Sequence, residues 1–206
     1  MENNVKQEVN RCIKDILYYA YKNDVVFPRS CGLVSTLLTY SLKDTSLSSN
    51  YDIFLIRGIF KNINNEEDNF CEESDFLSIN RSNFKKYEFN CDYCGICDYM
   101  NPHSWVELKD KKTNKIIILD FTQIQFDEWF PNFQDEILNS SWDKEELFQY
   151  IEHNSYSLIE ETDIFFNYYI PTKSIISLNK LINLVNEEGS SYHNMIENFK
   201  KWKENN

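Results

Sequence analysis

Glycine and proline are scarce, with four of each in 206 residues. That leaves little material for flexible or stiff linkers. Several loosely tethered modules are therefore excluded, and one domain is expected across residues 1–206. Basic residues are also short: 21 Lys and Arg stand against 33 Asp and Glu, a formal net charge of −12. Gripping a phosphate backbone needs clustered cations, so nucleic acid is excluded as a partner. A basic protein partner is compatible with the charge, which otherwise speaks to solubility. No run approaches the ~20 apolar residues that cross a bilayer, so no membrane partner is expected. The first residues, Met1 to Lys6, lack the apolar stretch of a secretory signal. A cytoplasmic protein is expected, in a compartment where thiols stay reduced, although a specialised secretion route would escape this argument. The six cysteines are then free, metal-bound or catalytic rather than disulfide-linked.

What is present reads as an α+β chain. Val5, Val9, Ile13, Ile16, Leu17 and Ala20 recur at helical spacing and predict a helix over about 4–22. Phe27-Pro28 forces an extended entry. A second helix is expected from Cys31 through Leu42, with Ser30 as its N-cap. Tyr51–Phe60 is dense in β-branched and aromatic residues and predicts a strand. A polar, cysteine-rich insertion is expected at about 61–100, with a return to strand at Tyr87–Asn90. His103–Leu108 and Lys115–Asp120 predict two antiparallel strands joined by the polar loop Lys109–Asn114. Residues 140–206 read as a C-terminal extension of the same domain. Within it a helix is expected at Trp142–Glu152, a strand at Ile164–Ile170, a Thr172-capped helix at Ile175–Val185, and a final helix at Tyr192–Lys203.

Three residues in this layout carry the chemistry of a thiol triad. A cysteine attacks well only as the thiolate, which the first turn of a helix favours at Cys31. A histidine within reach can take the thiol proton, and a carboxylate can orient and stabilise the imidazolium. On its strand His103 shares a face with Trp105 and Glu107, opposite Ser104 and Val106. A short hairpin returns the chain so that Asp120 ends beside His103. Each residue taken alone has a plainer reading: a buried small hydrophobe for Cys31, a structural ring for His103, a turn former for Asp120. Only the tertiary fold can bring up Cys31. His153 and His193 read as surface or cap residues. Trp129, Phe130 and Phe133 read as core or cleft wall.

Phe27-Pro28-Arg29-Ser30-Cys31-Gly32, His103-Ser104-Trp105-Val106-Glu107 and Asp120-Phe121-Thr122-Gln123-Ile124-Gln125-Phe126 together resemble the papain-like and transglutaminase-like cysteine hydrolase superfamily. They are most similar to a set of poorly characterised bacterial proteins in it. The resemblance covers about 27–126. It implies a helix-borne cysteine packed on an antiparallel sheet, with Cys31 as nucleophile, His103 as base and acid, and Asp120 as orienting carboxylate. It implies attack on a protein or peptide amide through a thioester, as peptidase, deamidase or transglutaminase, with no cofactor required. There are departures. Papain-like enzymes place an oxyanion-hole glutamine six residues before the cysteine, where this chain has Val25. The Cys31 amide supplies one donor. Asn23 and Gln125 are candidates for the other, against roles in a turn and in the Asp120 loop. Leu33 stands where relatives often carry a polar residue.

Cys91, Cys94 and Cys97 form C-x2-C-x2-C, and Cys71 lies some twenty residues earlier. Four thiolates so spaced could close a structural zinc site, with Gly95 easing the turn. The alternative is four ordinary reduced cysteines. A zinc-stapled module that binds a partner without catalysis is the rival reading of the whole chain. Neither substrate nor oligomeric state is legible.

Overall fold

In a computed structural model of the chain, the described residues are 2–23, 30–61, 81, 100–122, 135–137, 139–154 and 157–206. Helix α1 spans Glu2–Lys22, α2 Cys31–Ser41 and the short α3 Leu47–Asn50. Strand β1 covers Tyr51–Lys61, β2 Met100–Asp110 and β3 Ile116–Asp120. Helix α4 (Lys144–Asn154) precedes β4 (Ser157–Glu160) and β5 (Tyr169–Ser177), and α5 (Leu178–Asn186) and α6 (Ser191–Asn205) end the chain. The architecture is α+β. One antiparallel sheet runs in the order β4-β3-β2-β1-β5.

Side-chain alternation gives this sheet two cores. On one face Ile53, Val106, Leu108, Ile117 and Leu119 pack with the helices, among them the apolar stripe Val5, Val9, Ile13, Ile16 and Leu17 of α1. On the other, Ile56, Phe60, Trp105, Ile118, Ile159 and Tyr169 form a smaller, aromatic core. Consecutive burial of Leu55 and Ile56, each 1% exposed, marks β1 as covered on both faces. Gly58 interrupts β1 for a reason of space. A Cβ there would stand 2.3 Å from both the Ile170 carbonyl oxygen and Trp105 Cη2.

The β2–β3 hairpin forms as its sequence predicts. Asp110 accepts from the backbone N–H groups of Lys112 (2.8 Å) and Thr113 (2.7 Å). Asn114 takes the left-handed conformation that closes the turn, at φ 62. In α2 the buried hydroxyls are satisfied locally. Thr36 donates to the Gly32 carbonyl (2.6 Å) and Thr39 to that of Ser35 (2.7 Å). Ser35 donates instead to the Ser104 carbonyl (2.9 Å), which ties α2 to β2.

Several expectations need correction. Ser30 occupies the position before α2 but makes no side-chain cap; at φ −94, ψ 25 it departs from the extended N-cap geometry. Its buried hydroxyl has no partner among the described residues. Ile164–Tyr168 is a 3-10 turn rather than a strand, because the Asp163 carboxylate accepts from the Phe165 amide at 2.9 Å and starts a tight helix. The strand follows it, and Thr172 lies within β5 rather than capping a helix. Pairing of Ile175 and Ile176 with Ile56 and Leu55 holds that segment extended. Helix α5 begins only after Ser177, whose hydroxyl accepts from Lys180 N–H. Residues 140–206 supply both edge strands of the sheet. The expected strand Tyr87–Asn90 lies outside the described residues. Among those described, no helix is long and apolar enough to cross a membrane.

Gly58→Ala should destabilise the fold by about 1–3 kcal/mol, the usual cost of overpacking. Chemical denaturation of the two proteins checks this, and equal midpoints would contradict it.

Candidate active site

The pairing of β2 with β3 runs from Val106↔Leu119 to Lys109↔Ile116. His103 and Ser104 stand just before the first of these pairs on β2, and Asp120 just past it on β3. His103 Nε2 lies 2.7 Å from Asp120 Oδ2. Both side chains are out of water, at 0% and 1% exposed.

The carboxylate is saturated. Asp120 Oδ2 also accepts from the Tyr169 hydroxyl at 2.9 Å. Asp120 Oδ1 accepts from the Thr122 backbone N–H (2.9 Å) and the Thr122 hydroxyl (3.0 Å). Burial works against its charge, but His103, Thr122 and Tyr169 outweigh that and hold its pKa below the usual carboxylate range. Burial likewise disfavours a charged His103. The Asp120 charge and hydrogen bond, with help from Cys31, push its pKa up to about 9.

Cys31 opens α2 and is half-buried. It lies near enough to His103 for each group to act on the other's ionisation. Burial resists ionisation of this thiol; the His103 hydrogen bond and charge, and a backbone hydrogen bond from Ser104, prevail and lower its pKa. The helix dipole acts in the same direction. His103 is thus hydrogen-bonded to Asp120 and electrostatically coupled to Cys31, an arrangement that favours a charged ring and a more acidic thiol.

The surroundings fix the ring. The indole of Trp105 stacks on His103 at 6.0 Å with planes 29° apart, and Phe60 meets the ring edge-on at 6.1 Å. Trp105 Nε1 donates to Glu107 Oε1 at 2.9 Å. Beside Cys31, a Cβ built on Gly32 meets nothing within 4 Å among the described residues.

Other expectations resolve unevenly. Asn23 donates its side-chain amide to the Tyr19 carbonyl (2.8 Å), a helix-end role rather than one at the site. His193 Nδ1 lies 2.8 Å from the Val185 carbonyl, linking α5 and α6, and His153 is exposed. Val25, Gln125, Trp129, Phe130, Phe133 and the candidate zinc ligands Cys71, Cys91, Cys94 and Cys97 lie outside the described residues. Among the described residues no cluster of metal-ligating side chains occurs. Sequence reasoning missed Tyr169, Phe60 and Gly58. An isolated glycine inside a β-branched run was a usable signal of close approach. Tyr169 gave none, since its partner Asp120 is 49 residues away.

Alkylation of Cys31 by iodoacetamide, followed by peptide mass mapping, should remain fast below the ordinary thiol range of about 8.5. Cys12, whose thiol is pushed up by burial, should react only at higher pH. Asp120→Asn should move the Cys31 profile to higher pH, because a neutral amide no longer supports the imidazolium. Tyr169→Phe removes one charge-assisted bond of about 1.5–3 kcal/mol and should shift the profile less, in the same direction. A Cys31 profile indistinguishable from that of Cys12 would contradict the ion pair. No family model, curated protein or solved structure matches this chain, so its site is read from its own geometry.

Proposed function

We propose that the protein is a thiol hydrolase or acyltransferase of papain-like or transglutaminase-like type, acting on a protein or peptide amide. The observation that carries this reading is the buried His103–Asp120 hydrogen bond, with Cys31 at the start of α2 placed so that it and the His103 ring act on each other's ionisation. The rival reading of a non-catalytic binding module gives no reason to bury a charged pair against a half-exposed thiol.

In the proposed reaction the Cys31 thiolate attacks the amide carbonyl carbon. The C=O π pair moves to oxygen, and the Cys31 backbone N–H at the start of α2 is the first donor to that oxyanion. Collapse of the adduct breaks the C–N bond, while His103 gives its proton to the departing amine. A thioester on Cys31 remains. His103, now neutral, takes a proton from the incoming nucleophile, which displaces the thiolate and restores the ion pair. Water as acceptor gives hydrolysis or deamidation; a primary amine gives acyl transfer. Asp120 orients the ring and stabilises its charge throughout. The chemistry requires no cofactor.

Incubation with a generic unfolded protein such as casein, with and without an added primary amine, tests the reaction by mass spectrometry. Backbone cleavage, a gain of about one dalton and an amine adduct report the three fates of the thioester. Cys31→Ala should abolish all of them and should abolish labelling by a thiol-directed acylating probe, whereas Cys94→Ala should not. Equal labelling of the Cys31→Ala protein would sink the proposal. Turnover should fall as pH rises through about 9, because His103 then lacks the proton that the leaving amine needs. It should fall at low pH as the thiolate is protonated.

A further inference from the structure

Glu107 shares the face of β2 that carries His103 and Trp105, and its side chain is only 8% exposed. A carboxylate so placed needs a partner. Arg81, from the connection between β1 and β2, supplies it: Nη2 lies 2.8 Å from Glu107 Oε1. The same Oε1 accepts from Trp105 Nε1. The other arm of the guanidinium, Nη1, donates to the Tyr169 carbonyl at 2.8 Å. Its plane is held by the Phe166 ring, 4.3 Å from the guanidinium carbon.

One guanidinium thus fixes two aromatic residues, and each touches a different member of the buried pair. Trp105 stacks on the His103 ring, and the Tyr169 hydroxyl donates to Asp120. We infer that Arg81 is a positioning residue for the candidate triad, acting through Glu107 and Trp105 on His103 and through Tyr169 on Asp120. This rests on the proposed thiol chemistry and adds the device that holds it in register. Without Arg81, Glu107 becomes an unpaired buried charge that must draw water or take a proton. Either outcome loosens Trp105 and with it the orientation of the imidazole. Catalytic groups need alignment within about 10–20°, and Trp105 is the ring that stacks on His103. Placement of Arg81 against Glu107 and Tyr169 is therefore a condition of an aligned ion pair.

The test is the pH dependence of Cys31 alkylation in the full-length chain, which needs no knowledge of substrate. Arg81→Met and Glu107→Gln are compared with the wild type, with circular dichroism to verify folding. Arg81→Met should slow alkylation at pH 6 about tenfold, the effect of one pKa unit, and leave the rate at pH 10 unchanged. Glu107→Gln keeps an acceptor for Trp105 but loses its hold on Arg81, so a smaller shift to higher pH is expected. The sign separates mechanisms. Acting only as charges through space, the lost cation and the lost anion would shift Cys31 in opposite directions; acting by position, they shift it in the same direction. Opposite shifts, or a wild-type profile in folded Arg81→Met, overturn the inference. Should Arg81→Met fail to fold, Glu107→Gln decides, and an unshifted profile overturns it. A wild-type Cys31 that titrates as an ordinary thiol would instead defeat the thiol-enzyme reading itself.

Discussion

The site depends on a carboxylate kept wholly out of water. An unpaired buried charge costs several kcal/mol, so Asp120 remains ionised only because four hydrogen bonds converge on it. Charge-assisted bonds contribute about 1.5–3 kcal/mol each, enough to offset that cost between them. The ionised carboxylate in turn makes a protonated His103 favourable inside the protein, and the protonated ring makes a thiolate favourable at Cys31. Removing the first link weakens the other two.

The sheet serves this chain of charges by having two covered faces. Helix α2 docks over Ser104, Val106 and Leu108, and its Ser35 is anchored to the Ser104 carbonyl. His103 belongs to the opposite face, with Trp105 and Tyr169. Imidazole and carboxylate meet just beyond the Val106↔Leu119 pair of the β2–β3 ladder, and His103 and Ser104 both act to lower the Cys31 pKa. Gly58 belongs to the same design, because its missing Cβ is the space that Trp105 fills. Packing and chemistry are inseparable here: the ring that stacks on the histidine is also core.

Much of the local structure was legible. The helical stripe of α1 and the strands β1, β2 and β3 follow from periodicities of about 3.6 and 2. The C-terminal third was less so. IFFNYYI is apolar enough for a strand, yet one Asp163 carboxylate turns its first five residues into a 3-10 helix. Thr172 resembles a cap, yet pairing of the flanking Pro171 and Ser174 with β1 makes that segment strand. In both cases a single partner outweighed propensity, as it can when helix and strand differ by fractions of a kcal/mol per residue. Ser30 failed as a cap because its backbone is not in the extended conformation that aims a hydroxyl at the first turn.

By itself the sequence determined the pairing of His103 with Asp120. Strand alternation and a hairpin turn closed by Asp110 and Asn114 fix which side chains end side by side across 17 residues. Only the tertiary structure decided the rest: that Cys31 comes under the electrostatic influence of the histidine, that Tyr169 completes the carboxylate, and that Arg81 holds Tyr169 across 88 residues of chain. The reason is one of range. Local geometry is set by dihedral preference and hydrogen bonding over a few residues, whereas these contacts exist because two cores on opposite faces of one sheet are filled at the same time.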